Sequence, residues 1–282
     1  MKMLFIMNVS VLLLLICPSV ISKVINFSKC SQFFYEGEPP VIPGILENSR
    51  SMNDRYKTIC QKYKKYYRFA TLYDTTNRIP VFSAYRFTEK RSFKRPHMKW
   101  MIEPQLELLT SDEMNVKISY ENQATDEDYI NNNYKVNRGH LFPSCHSSDE
   151  VTARSTFTLT NIVPQKINFN SGSWKRMEDE TNDLMGKHCR DKNNQNKVLA
   201  HVLTGAVPGN TTLNNRVNIP SHMWMTFCCY NSTSSSWSSK AYWAPNEDEN
   251  KNSKAMISER SLEELQEFLS NTKITLFKND CK

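Results

Sequence analysis

Beyond its N-terminal leader, the 282-residue chain lacks any apolar run that approaches the roughly 18 residues a transmembrane helix needs. It has no CxxC pair, which weakens a zinc-site reading. It shows no internal repeat and no Gly/Ser/Pro linker, so one large domain fits its length better than two small ones. Helix-turn-helix, zinc-finger and RNA-recognition signatures are also missing, and contacts to phosphate alone carry no base information.

What is present begins with a targeting signal. Lys2 precedes an apolar run from Met3 to Ile16, then Pro18 and the small-residue stretch Ser19 to Ser22. This pattern predicts a secretory signal peptide over 1–22 and a soluble, exported, extracellular mature chain. The formal charge is +7, or +6 once Lys2 leaves with the signal. Arg86, Lys90, Arg91, Lys94, Arg95 and Lys99 crowd into fourteen positions, either a solvated loop or a phosphate-facing strip. Of the eight cysteines, Cys17 lies in the signal, leaving Cys30, Cys60, Cys145, Cys189, Cys228, Cys229 and Cys281 as disulfide candidates in an oxidising compartment. Their number is odd, and the adjacent Cys228 and Cys229 are expected to seek separate distant partners. Sequons at Asn26, Asn210 and Asn231 predict surface glycosylation sites.

Residues 23–60 carry Pro39, Pro40, Pro43 and Gly44 with little periodicity and read as an extended arm that Cys30 and Cys60 could staple. Residues 61–282 then form the main domain. Two β-branched and aromatic runs around Asp74 to Arg78 predict a β-hairpin, with Pro80 suited to an edge or a strand start. The polar stretch from Thr110 to Asn133 reads as a surface loop, and Thr156 to Pro164 as a short strand. Trp174, Met177 and Leu184 give a helical period that Gly186 would stop. Lys197–Val207 and the "VNIPSHMWMTFCCY" stretch are further strands, and Ser261 with Glu264 predicts a capping box before Leu262, Leu265, Phe268 and Leu269. Strands and helices interleave without βαβ regularity, so the class is mixed α+β.

Taken singly, His140 after "RG" is a turn residue, Asn161 a turn or cap, Asn170 a helix cap and Glu178 a solvated charge. His146 reads as a turn residue beside Cys145. Cleaving a phosphodiester needs a base, a cation and phosphate-binding charge. Histidine suits the first near neutral pH, and Mg²⁺ needs few protein ligands because it keeps its waters. His140 stands 21, 30 and 38 positions before Asn161, Asn170 and Glu178.

That spacing, with "RGH", "TNIVPQ", "FNSGSW" and "MED" around it, resembles the DNA/RNA non-specific endonucleases of the ββα-metal class. The likeness runs from about Tyr66 to Leu276 and includes "HVLTGAVP", "RVNIPSHMW" and "SLEELQEFL". The resemblance implies a central, mainly antiparallel sheet flanked by helices, with a metal-binding helix following the RGH strand. It implies His140 as general base, Asn170 as direct ligand of Mg²⁺ (or Mn²⁺) and Glu178 as a ligand through water. Arg138 would fix the scissile phosphate or stabilise charge in the transition state, Asn161 would orient the site, and Arg95 or Lys99 would bind phosphate. An eight-residue helical step would lean Asn170 and Glu178 toward one cleft. The implied reaction is water attack on DNA or RNA, without sequence preference, leaving a 5′-phosphate and a 3′-hydroxyl. Asn137 stands where the family usually has Asp, which removes a charge that could tune Arg138 or the metal waters. The alternative reading is a retained nuclease fold with weak or no catalysis that binds extracellular polyanions. Monomer and homodimer remain equally open.

Overall fold

The computed structural model of the chain describes residues 24–89, 93–107, 121–130, 132–250, 253–270 and 272–282. Lys90 and Arg91 of the basic cluster, half of the Thr110–Asn133 stretch, and residues 1–23, which hold the expected signal peptide, lie outside them. The main strands are β1 (Tyr56–Tyr63), β2 (Tyr66–Asp74), β3 (Ile79–Phe87), β4 (Val136–His140), β5 (Ile162–Lys166), β6 (Ala200–Val207), β7 (His222–Asn231) and β8 (Ser236–Pro245). The helices are α1 (Glu150–Ser155), α2 (Ile167–Ser171), α3 (Ser173–His188) and α4 (Leu262–Leu269).

Six strands form the central sheet in the order β8-β7-β6-β3-β2-β1, each pair antiparallel, with the short strand Cys189–Arg190 also pairing with β7. The predicted hairpin is β2–β3. Pro80 lies one residue into β3, opposite Tyr73, beside a register shift at Leu72/Tyr73. β3 is an interior strand, so the bulge rather than an edge accommodates the proline.

Side chains on a strand alternate between faces, and both faces of this sheet are buried. On β7, Met223, Met225, Phe227 and Cys229 join one core, whereas Trp224 and Cys228 join the other. The neighbouring cysteines therefore point apart. Cys229 bonds to Cys189, Cys228 to Cys281, and the third disulfide is Cys30–Cys60. Cys145, also a disulfide candidate by sequence, takes part in none of the three.

One core is closed by α3 and the β4–β5 pair, the other by the N-terminal segment, α4 and the C-terminal residues. The N-terminal segment is not the extended arm expected. Phe27, Phe33, Phe34 and Tyr35 are buried, and tight 3-10 turns cover Phe27–Phe33 and Tyr35–Gly37. Burying aromatic side chains of this size stabilises by about 1.5–3 kcal/mol each, which draws the segment onto the sheet. The expected boundary at residue 60 falls inside β1.

Further elements differ in extent from expectation. Helix α3 runs through Gly186 to His188, and Cys189 turns extended into its disulfide. A helical glycine costs only about 1 kcal/mol, less than burying Met185 beside it returns. Pro220 divides the "VNIPSHMWMTFCCY" stretch into a short strand, Val217–Ile219, and β7. Within Thr156–Pro164 the strand starts only at Ile162, after a 3-10 turn at Leu159–Asn161. The α4 capping box is formed as the sequence predicts, with Leu262 and Leu265 buried. Asn26, Asn210 and Asn231 all retain solvent exposure. Among the described residues, no helix is long and apolar enough to cross a membrane.

Candidate active site

Strand β4 ends at His140, opposite Ile162 of β5, and the chain then passes through α2 into α3. This β-β-α unit delivers three residues to one cavity of about 210 Å³: His140 from the strand end, Asn170 from α2 and Glu178 from α3. Arg138 and Arg95 line the same cavity, as do Cys145 and the exposed Lys175–Asp179 pair. A wider depression of about 850 Å³ beside α4, on the other side of the sheet, contains no histidine.

His140 is 8% exposed and packs against the rings of Trp100 (5.4 Å) and Phe157 (5.0 Å). Its Nε2 is buried with no hydrogen-bonding partner. Desolvation, with the Arg95 charge second, pulls its pKa down to about 3, so the imidazole is neutral at pH 7. Gly139 is required by close approach: a Cβ there would lie 2.1 Å from Gln165 Oε1 and 2.6 Å from Gln165 Cβ.

Asn170 Nδ2 donates to Asn137 Oδ1 at 2.7 Å. The amide nitrogen is thereby committed, and the carbonyl oxygen is the end of Asn170 left for a cation. Asn137 supplies the acceptor this requires, without a charge. Asn170 and Glu178 are not on one continuous helix as the eight-residue arithmetic assumed. The helix breaks at Gly172, whose φ −105° and ψ −115° separate α2 from α3. A Cβ at Gly172 would lie 2.3 Å from Asn168 O, and Glu249 caps the new helix start by accepting from Ser173 N at 3.1 Å and from the Ser173 hydroxyl. The carboxylate also complements the positive end of the helix dipole. Burial and the neighbouring Asp179 push Glu178 up to about 8, with Lys175, Trp174 and Arg95 acting in the opposite direction.

The acidic partner of Arg138 is Asp126, through an ion pair with its carboxylate and a 2.8 Å bond to its carbonyl oxygen. The guanidinium also lies over the rings of Tyr129 (5.1 Å) and Trp100 (5.6 Å). Position 137 therefore serves Asn170 and leaves Arg138 to Asp126. Of the two phosphate-binding candidates, Arg95 reaches the cavity and Lys99 does not. Asn161 does not line it either. Fully buried, Asn161 accepts from Phe142 N (2.9 Å) and Ser83 Oγ (2.8 Å) and donates to the carbonyls of Phe142 (3.1 Å) and Thr156 (3.0 Å). Such bonding suits orienting the chain that follows His140. Sequence reading missed Asp126, Trp100 and Glu249. Asp126 belongs to an acidic run that reads as a surface loop, and only the fold brings it to Arg138.

The donor set suits a hard divalent cation. An amide oxygen and a half-buried carboxyl group are oxygen ligands of the kind such ions prefer, and a cation would favour the ionised form of Glu178. Among the described residues no group of three or more His, Cys, Asp or Glu could enclose a metal; an ion keeping most of its waters needs no such enclosure.

A strand-end histidine, an oriented asparagine and a half-buried glutamate around one cavity, on a β-β-α unit, define the class. Residues 47–280 match the DNA/RNA non-specific endonuclease family, and the chain belongs to that family. Within it, the chain is similar to the mouse (Mus musculus) Endonuclease domain-containing 1 protein, 35% identical over 214 residues, and to the human (Homo sapiens) protein of that name, at 32% over 214 residues. Each match covers 72% of this chain and 39% of the relative, so the chain spans about two fifths of the length of these relatives. The mitochondrial nuclease EXOG of Xenopus laevis is 27% identical over 158 residues, 54% of this chain and 40% of the relative. In fold the chain is similar to the crystal structure of the EndoG/EndoGI complex, with a TM-score of 0.51 and 18% identity over 68% of this chain and 77% of that one.

Proposed function

We propose that the chain is an exported, Mg²⁺-dependent (or Mn²⁺-dependent) endonuclease that hydrolyses the phosphodiester bonds of DNA and RNA without sequence preference. The observation that carries this reading is the single cavity in which Arg95, Arg138, His140, Asn170 and Glu178 converge. Neutral His140 takes a proton from the attacking water. The water oxygen bonds to phosphorus as the bond to the 3′ oxygen breaks, leaving a 5′-phosphate, and the 3′ oxygen takes a proton from solvent. Arg138, held in advance by Asp126 and two rings, donates to the non-bridging phosphate oxygens, with Arg95 beside it. Asn170 would hold the cation directly through its carbonyl oxygen, and Glu178 through water. When bound, the cation supplies positive charge where negative charge develops. Export and glycosylation at Asn26, Asn210 and Asn231 agree with the three disulfides.

The test is cleavage of plasmid DNA and of RNA by the purified chain with Mg²⁺ and with EDTA. The expected result is EDTA-sensitive cleavage of both, with 5′-phosphate ends. Salt-sensitive binding of both without turnover would replace this reading with that of a polyanion-binding protein.

A further inference from the structure

His146 reads as a bystander in the sequence, and the family motif assigns it no role. In the structure it is fully buried. Its Nε2 lies 2.9 Å from the carbonyl oxygen of Glu178, and its Nδ1 lies 2.9 Å from the Tyr85 hydroxyl. A carbonyl can only accept, so Nε2–H is the donor, and in the neutral ring Nδ1 accepts from Tyr85 O–H. One tautomer satisfies both bonds.

These bonds tie together elements that are far apart in sequence. Asn182 Nδ2, one helical turn beyond Glu178, donates to the Cys145 carbonyl oxygen at 2.9 Å. The Ser144–His146 turn is thus held to α3 at two points on one helix face. On the other side, Tyr85 of β3 stacks on Phe142, with centroids 3.9 Å apart and planes 12° apart. Phe142 follows His140 by two residues, and its N–H is held by Asn161. A continuous path therefore runs from the backbone of Glu178 through His146, Tyr85 and Phe142 to the strand end that carries His140.

We infer that His146 is a positioning residue: it clamps α3 against the segment after His140 and so sets the spacing between the Glu178 side of the cavity and the base. The inference rests on the nuclease reading. A shell of this kind around a cation site typically changes affinity or rate by about 10–100-fold.

The experiment compares the full exported chain with His146→Ala, His146→Gln and Tyr85→Phe. It measures kcat and KM on DNA, Mn²⁺ affinity by electron paramagnetic resonance, and Tm. For His146→Ala, kcat is expected to fall about 10–100-fold and Mn²⁺ affinity about tenfold, with KM for DNA changed less than either. His146→Gln places an amide donor near the Nε2 position and should recover most of the loss. Tyr85→Phe keeps the stacked ring and loses only the hydroxyl, so a smaller fall in the same two quantities is expected. If His146→Ala does not fold, the Tyr85→Phe and Asn182→Ala variants decide by the same readouts. A folded His146→Ala with wild-type kcat and Mn²⁺ affinity overturns the inference. So does a lowered Tm with unchanged Mn²⁺ affinity and no advantage of Gln over Ala. If the wild type neither cleaves DNA nor binds Mn²⁺, the nuclease reading fails and the clamp falls with it; if the wild type does both while the variants match it, only the clamp fails.

Discussion

The two faces of the central sheet are built to different rules. The face covered by the N-terminal segment and α4 is packed with aromatic residues such as Phe27, Phe34, Tyr35 and Phe277 and braced by Cys30–Cys60 and Cys228–Cys281. The opposite face carries the cavity, and with it a neutral buried histidine, a desolvated glutamate and an arginine held between two rings. Among the described residues, His140 Nε2 and Arg138 Nε on this face are buried without a hydrogen-bonding partner, whereas no such group lies in the N-terminal segment or α4. Leaving such groups unsatisfied costs about 1–3 kcal/mol each. One face thus secures the fold, while the other keeps polar groups poised for ligands at the expense of stability.

Substitutions can test that division, beginning with the largest effect. Asn170→Ala should lower Mg²⁺-dependent cleavage by about 10²-fold or more, by analogy with the loss of a well-placed electrostatic group, while Tm stays close to wild type. A large loss of Tm would show that Asn170 serves the fold. The paired substitution Cys228→Ser with Cys281→Ser should do the reverse, removing about 2–5 kcal/mol of stability while the folded fraction keeps its kcat; denaturant unfolding and cleavage measured on one sample check both.

Acid lability separates the faces less sharply, because histidines held neutral by desolvation occur on both. His146 and His201 are each held down to about 4 by burial, below the roughly 6.5 of an exposed histidine. Between these values the unfolded chain binds protons that the native chain does not. Their contribution is therefore intact above about pH 6.5 and lost as the pH falls toward 4, at up to about 1.4 kcal/mol per pH unit for each group. Urea midpoints at pH 7 and pH 5 should show the decline, and equal midpoints would refute it. The smallest effect is expected from Asn137→Asp. The carboxylate still accepts from Asn170 and adds a negative charge near the cation site, so Mn²⁺ should bind up to about tenfold more tightly. Weaker binding in a calorimetric titration would mean that the neutral amide is needed for the Asn170 geometry.

The legible parts of this molecule are those whose signal is local or periodic. The β2–β3 hairpin, the α4 capping box and the alternation along β7 are all readable over a few residues, and that alternation explains why Cys228 and Cys229 bond to opposite sides. His140, Asn170 and Glu178 were legible through a spaced pattern, and the fold brings all three to one cavity. Three features were hidden because they depend on chain reversals: the Arg138–Asp126 pair, the Glu249 cap on α3 and the His146 bridge. The packing of the N-terminal segment is not legible in sequence because its aromatic residues follow no period, so only the sheet beneath them reveals their burial.

The account stands or falls on His140. Cleavage rate and Tm should be measured side by side for the wild type and His140→Ala, in Mg²⁺ and in EDTA. Loss of a general base predicts a fall of about 10²–10⁴-fold in the Mg²⁺-dependent rate, with the protein still folded, since the ring packing lost on Trp100 and Phe157 is offset in part by removal of the unsatisfied Nε2. Equal cleavage by the two proteins would contradict the account.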